Sequence, residues 1–265
     1  MARLKALDLG LTEPPSPDPT PAGDEREAPA AAATITLEQA VYHYDDEPDA
    51  PGFALGPIDI TLHPGELVFV VGGNGSGKST FVKLLCGLYW PTTGVIRLNG
   101  EPITPATSGR FREQFAVVFS DFFLFDRASA HDGDAIDLAA KRYLETLDLG
   151  HKVTIHNGRF STTTLSQGQR RRLALLSAYL EDRPVYIFDE WAADQDPQYR
   201  HVFYSSLLPD LKARGKTVVV ITHDERYFDR GDRVVKLDYG RIVDTWRPTP
   251  ESRSAADGQV SAARP

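Results

Sequence analysis

One cysteine, Cys86, stands in the whole chain, so no internal disulfide can form. It falls on a segment expected to be helical, where a small buried hydrophobe is its simplest role. A reducing, cytoplasmic setting suits such a chain. No apolar run approaches the roughly 20 residues that span a bilayer. The first ten residues, Met1–Gly10, are too short and too charged for a signal peptide. The chain is therefore expected not to insert into a membrane itself, which leaves room for a membrane-embedded partner. Positive charge is not in excess: the formal net charge is −8, so there is no basic footprint for nucleic acid. No internal repeat is visible, which excludes a repeat array. Apolar residues make up 41% of the chain, enough for the core of one large domain with tails.

Proline is plentiful, but much of it lies near the ends. Pro14, Pro15, Pro17, Pro19, Pro21 and Pro29 stop regular structure from propagating, so residues 1–33 read as an extended linker. Residues 248–265, polar with three prolines, read as a disordered tail. Between them, residues 34–247 alternate strand and helix signals, which suits an α/β fold around a mainly parallel sheet. Thr34–Leu37 and Ile58–Leu62 alternate polar and apolar residues as half-buried strands do. Residues 126–164 lack strand signals, Ala135–Leu147 has helical spacing, and Asn157-Gly158 marks a turn. A small helical insertion is expected there. Val185–Phe188 and Val218–Ile221 read as buried strands, and Val234–Val243 as a closing hairpin turning at Tyr239-Gly240.

The most informative stretch is Gly72-Gly73-Asn74-Gly75-Ser76-Gly77-Lys78-Ser79. It fits the phosphate-loop pattern. A buried-strand run, Leu67–Val71, precedes it, and Thr80–Leu88 follows with helical spacing. Glycines let backbone N–H groups crowd around phosphate oxygens, and a helix N-terminus adds positive potential. Lys78 is expected to reach the β- and γ-phosphates, and the Ser79 hydroxyl to bind Mg²⁺.

Two further strands end in polar side chains. Val185–Phe188 runs into Asp189 and Glu190, and Val218–Ile221 into Thr222 and His223. Ligands of open α/β sheets bind at such carboxyl ends. Asp189 can hold the Mg²⁺ hydration shell, Glu190 can polarise an attacking water, and His223 can bond the γ-phosphate or that water. Leu165-Ser166-Gln167-Gly168-Gln169 precedes a helix expected to start near Gln169 and to carry Arg170, Arg171 and Arg172. Serine and glycine at a helix start make either an ordinary N-cap or a second anion site. The spacing alone gives no reason for two phosphate sites.

Taken in order, Gly72–Ser79, Leu165–Gln169, Asp189-Glu190 and His223 resemble the motifs of an ATP-binding cassette ATPase, over about Ile35–Val243. The resemblance implies a P-loop NTPase fold with an N-terminal antiparallel β subdomain and a small helical subdomain at about 112–175. It implies two ATP molecules, with Mg²⁺, at the interface of a head-to-tail homodimer. Ser166, Gln167, Gly168 and Gln169 would form the signature, with Ser166 and Gly168 meeting the γ-phosphate held by the other protomer's Lys78. Gly72 to Thr80 would cradle the phosphates, and Tyr44, in Val41-Tyr42-His43-Tyr44, would stack on adenine. Asp196 looks like the aspartate of the loop that crosses the interface. Phe122–Phe125 looks like the apolar end of the loop that links the nucleotide site to a transmembrane domain.

Three departures from the family pattern stand out. The linking loop usually carries a glutamine as a Mg²⁺ and water ligand. Here Ser120-Asp121 stands in register and Gln114 lies six positions early, so Ser120, Asp121 or water takes that place. Gln167 replaces a signature glycine, and Trp191 replaces the proline usual after the glutamate. With Val118–Asp126 and Phe188–Pro197, these resemble the exporters of cyclic peptides and peptide siderophores, the syringomycin and pyoverdine type. There the ATPase is normally fused behind a six-helix membrane domain, and Arg3–Leu7 looks like a remnant of the last helix's extension. Transmembrane domain fused upstream or separate, the ATPase would work at the cytoplasmic face of the inner or plasma membrane. An importer ATPase, a non-transport ATPase of the family, and a nucleotide-binding regulator without turnover are the rival readings.

Overall fold

The structure, a computed structural model, describes residues 33–44, 52–128 and 134–248. The expected linker over 1–33 and tail over 248–265 thus lie outside the described residues but for one residue each. Strands β1 (Ile35–His43) and β2 (Ala54–Leu62) pair antiparallel. Their alternation buries Ile35 and Leu37 of one and Ile58, Ile60 and Leu62 of the other. Strand β3 (Leu67–Val71) leads through the glycine loop into helix α1 (Lys78–Leu85). Strands β4 (Thr93–Leu98) and β5 (Glu101–Pro102) complete a four-stranded antiparallel sheet in the order β2-β1-β4-β5.

Short helix α2 (Ser108–Arg112) precedes strand β6 (Phe115–Val118). Helix α3 (Asp134–Thr146), strands β7 (Ile155–His156) and β8 (Arg159–Phe160), and helix α4 (Gln167–Glu181) follow. Then come strand β9 (Val185–Asp189), helices α5 (Pro197–Val202) and α6 (Leu208–Ala213), and strands β10 (Thr217–Ile221), β11 (Arg233–Asp238) and β12 (Arg241–Trp246). The second sheet has the order β12-β11-β3-β10-β9-β6, parallel except for the edge strand β12. Tyr239 and Gly240, at φ 43° and 76°, make the tight turn between β11 and β12.

Strand period 2 divides the core between the two faces of this sheet. Val68 and Val70 face α1, whose Phe81, Val82, Leu84 and Leu85 are buried between the two sheets. Leu67 and Phe69 face the other way, toward Leu173 and Leu176 of α4 and Leu208 and Leu211 of α6. Burying each such side chain stabilises the fold by roughly 1.5–3 kcal/mol. Cys86, at the end of α1, is buried, and desolvation pushes its thiol up to about 11. A thiol so protonated is inert.

The expected helical insertion differs in two ways. Phe115–Val118, inside the 112–175 segment, is core strand β6, paired parallel with β9. Four apolar residues are too few for periodicity to separate a buried strand from a helix. Within 126–164, β7 and β8 form a two-residue hairpin around Asn157-Gly158. Strands that short carry no readable alternation. Farther on, α5 and α6 are joined by a π-helical turn over Phe203–Leu207. Pro209 follows it, and proline cannot donate to the helix ladder and crowds the carbonyl four residues back.

Candidate functional site

The loop between β3 and α1 is built around glycine. Gly72 has φ 151°, and a Cβ there would stand 2.2 Å from the Leu237 carbonyl oxygen and 2.6 Å from Ser76 Oγ. Gly77 caps α1 at φ 101°, a conformation that side chains rarely adopt. Lys78 is only 7% exposed, and its ammonium donates to the carbonyls of Gly72 (2.8 Å) and Gly73 (3.0 Å). The lysine is thus folded back over its own loop. The Ser76 hydroxyl is buried with no partner in the protein. An unmet donor beside a buried ammonium suits an anion's oxygen.

A cleft of about 380 Å³ opens over this loop, lined by Tyr44, Phe53, the stretch from Asn74 to Thr80, and Glu190. The Tyr44 hydroxyl lies 3.0 Å from Thr80 Oγ1, which ties the aromatic wall to the first turn of α1. Burial raises the Tyr44 phenol above its ordinary range, so it stays neutral. Tyr42 stacks on Tyr89 at 4.5 Å, and both meet Tyr44 edge-on, at 5.2 and 5.8 Å. This packing holds Tyr44 at the mouth, 38% exposed. Phe53, 6.4 Å from it, adds a second apolar wall that the sequence reading missed.

Parallel pairing sets Ile221 beside Asp189, so β9 and β10 end together. Asp189 is buried, and burial first, then the neighbouring Glu190 carboxylate, raises its pKa above the ordinary range. Ser120 Oγ donates to Asp189 Oδ2 at 3.4 Å and partly offsets that shift. Asp121 is exposed and is not brought to this pair. Glu190 turns out of the strand at φ 51°, and its Oε1 lies 3.4 Å from His223 Nε2. A non-glycine residue with positive φ at a strand end is strained backbone of the kind concentrated at functional sites. Both line a second hollow of about 250 Å³ with Thr222, Arg200 and Asp224.

Ser166 caps α4, which starts at Gln167, two residues before the expected start. Ser166 Oγ accepts from the Gln169 N–H at 3.4 Å, and Gln169 Oε1 accepts from the Ser166 N–H at 3.2 Å. This capping box arises from Ser-x-x-Gln itself. It leaves Ser166 and Gln167 exposed and Gly168 half-buried. None of these signature residues lines the cleft over Lys78. Asp196 is likewise an exposed N-cap, accepting from the Tyr199 N–H at 3.2 Å. Arg171, Asp194 and Gln195 stand in stretches named from the sequence but carry no role there, because their contacts lie between segments far apart in the chain.

A parallel β-sheet with a glycine loop feeding a helix, and acidic residues at the neighbouring strand end, defines a P-loop nucleotide-hydrolase fold. The chain belongs to the ABC transporter family, as its ATPase domain: the family model described as "ABC transporter" matches residues 55–193. The chain is similar to the ATP-binding protein SyrD of Pseudomonas syringae pv. syringae, 47% identical over 259 residues, 96% of this chain and 46% of that protein. It is 32% identical to the ATP-dependent lipid A-core flippase of Alkalilimnicola ehrlichii, over 91% of this chain and 42% of that one. It therefore spans less than half the length of these relatives. A bacterial Atm1-family ABC exporter with ATP bound shares the fold, with a TM-score of 0.70 and 21% identity over 88% of this chain and 42% of that one. Among the described residues no helix is long and apolar enough to cross a membrane.

Proposed function

We propose that the chain hydrolyses Mg²⁺-ATP as a head-to-tail homodimer and drives export of a cyclic peptide or peptide siderophore through a transmembrane partner. The dimer would work at the cytoplasmic face of the membrane. The observation that carries the hydrolysis reading is the single cleft shared by Tyr44, the glycine loop with Lys78, and Glu190. Adenine stacks at the Tyr44 and Phe53 end, and the triphosphate runs along the loop N–H groups, Ser76 and Lys78. The γ-phosphate thereby reaches Glu190, which orients and deprotonates the attacking water while His223 holds the glutamate's other side.

The residues present fit Mg²⁺. Ser79, Asp189 and Ser120 offer hard oxygen donors. Among the described residues no cluster of three or more His, Cys, Asp or Glu could cage an ion alone. Such a partial oxygen set suits an ion that keeps waters and takes phosphate oxygens. When bound, Mg²⁺ would neutralise charge on the β- and γ-phosphates.

The signature supports the dimer. Ser166 and Gly168 stand away from the chain's own Lys78 cleft, at an exposed helix N-terminus suited to an anion from a second protomer. Export of a peptide rests on the SyrD likeness over nearly the whole chain and on the residues at Ser120, Gln167 and Trp191. Phe123 and Phe125, 73% and 67% exposed, together with Phe122, border a groove of about 150 Å³ that suits the transmembrane partner. Reconstituting the chain with its transmembrane partner in vesicles tests this reading. ATP turnover stimulated by a cyclic peptide or a peptide siderophore is the expected result. Stimulation by lipid A core alone would overturn the peptide assignment.

A further inference from the structure

Arg171 lies on the second turn of α4, and its side chain is only 8% exposed. Its guanidinium reaches two separate loops, the one that follows β9 and the one that follows β6. One terminal nitrogen donates to the Glu190 carbonyl at 2.9 Å and to the Trp191 carbonyl at 3.4 Å. The other donates to the Ser120 carbonyl at 3.2 Å and pairs with Asp194 Oδ2 at 2.8 Å. Phe122 lies 6.0 Å from the guanidinium carbon. In return, Trp191 Nε1–H donates to the Arg171 carbonyl at 2.9 Å. A second tie is independent of the guanidinium: Gln195 Nε2, on a buried side chain, donates to the Gly168 carbonyl at 3.3 Å.

We propose that Arg171 is a positioning residue that locks the signature turn of a protomer to that protomer's own Glu190 and to its linking loop. The proposal rests on the head-to-tail reading above. A buried guanidinium with one half-exposed carboxylate as its counter-ion is costly to keep. An apolar residue would fill the same space more cheaply, but it could not hold three carbonyls at once. Only a planar fork of five N–H donors matches that set, since a lysine ammonium is a point charge. The Glu190 carbonyl is held at the residue whose positive φ aims the catalytic carboxylate, so the tie acts on the orientation of Glu190. Gly168 and Arg171 stand on the first turns of α4 just after Ser166, so a shift of the signature on meeting nucleotide moves residues 190–195 with it. Through Ser120 and Phe122 the same shift reaches the linking loop. Nucleotide held by one protomer thereby sets the catalytic glutamate of the other.

The test uses the 265-residue chain and the variants Arg171→Lys, Asp194→Asn and both together. Steady-state turnover against ATP concentration, equilibrium binding of a fluorescent ATP analogue, and thermal melting are measured. For Arg171→Lys, kcat is expected to fall about 10- to 100-fold, and the Hill coefficient to drop to about 1. Affinity for the analogue should stay within about twofold, because the arginine does not itself line the cleft and meets Glu190 only at its backbone carbonyl. Asp194→Asn is expected to show a smaller loss of the same kind, with the double variant no worse than Arg171→Lys. Wild-type kcat and Hill coefficient in a folded Arg171→Lys protein would overturn the proposal. So would parallel losses of kcat, affinity and melting temperature, the mark of a merely structural residue. If Arg171→Lys does not fold, Asp194→Asn decides by the same criteria. ATP-driven dimerisation of Glu190→Gln, followed by light scattering, separates the two levels. If no dimer forms, the head-to-tail reading falls. If it forms while Arg171→Lys behaves as wild type, only the role of Arg171 falls.

Discussion

His223 Nε2 stands 3.4 Å from Glu190 Oε1, each just beyond the end of one of two adjacent parallel strands. The pairing register delivers both side chains to one edge of the sheet. Contact with histidine restrains the glutamate without burying it, and its side chain remains 37% exposed. A general base has to reach water in this way. Glu190→Gln is expected to lower the rate of phosphate release at least about 100-fold, the scale of a lost general base. ATP binding should survive and a stable dimer accumulate, seen by light scattering. Wild-type turnover in this variant would remove Glu190 from the role of base.

Ser120 and Asp121 are told apart by their surroundings. Ser120 Oγ reaches Asp189 at 3.4 Å, whereas Asp121 is exposed. Ser120→Ala is therefore expected to raise the Mg²⁺ concentration needed for half-maximal turnover several-fold, with little change at saturating Mg²⁺. Asp121→Ala should leave the Mg²⁺ titration unchanged. The reverse pattern would give the place to Asp121.

Tyr44 combines an exposed ring with a hydroxyl bonded to Thr80. Stacking of a base on an aromatic ring is worth about 1–3 kcal/mol. Tyr44→Ala should thus weaken ATP binding by roughly tenfold or more. Tyr44→Phe should keep most of the affinity, since it loses only the hydroxyl contact. Calorimetric titration of the two variants checks this, and equal losses in both would point to the hydroxyl instead of the ring.

Asp189 gives a prediction with a definite sign. Burial and Glu190 raise its folded-state pKa above the ordinary carboxylate range. Between the unfolded and the raised folded value the native state binds the extra proton, so this group's stabilisation is present below that window and lost as pH rises through it. Above the window the buried charge is a standing cost when no cation is bound. Asp189→Asn, in nucleotide-free protein, is expected to raise the melting temperature at neutral pH by a few degrees. The gain should shrink as pH falls through the window just above the ordinary carboxylate range. The same variant should lose Mg²⁺-dependent turnover. A lower melting temperature at neutral pH would contradict this account.

Much of this arrangement was legible because its determinants are local. The glycine loop needs positive φ at Gly75 and Gly77, and only a short run of glycines permits it. The Tyr239-Gly240 turn and the Ser166–Gln169 capping box are likewise written in two to four consecutive residues. Trp191 was visible as a departure from the family pattern, but its use was not. It is 1% exposed, stacks on Phe203 at 4.4 Å, and bonds back to Arg171. No periodicity links residues 171, 191 and 203, because the contacts join a helix, a loop and the π-helical turn between α5 and α6.

By itself the sequence determined the order of strand, glycine loop, helix and acidic strand end, and with it the class of chemistry. Backbone freedom and strand alternation depend on neighbouring residues alone. The tertiary structure decided which of Ser120 and Asp121 faces Asp189, that Phe53 joins Tyr44 at the cleft, and that Arg171 ties two loops to the signature helix. It also decided that Ser166 lies away from the chain's own Lys78. Each of these depends on how separate elements pack, and packing brings together side chains whose distance along the chain carries no trace of their meeting.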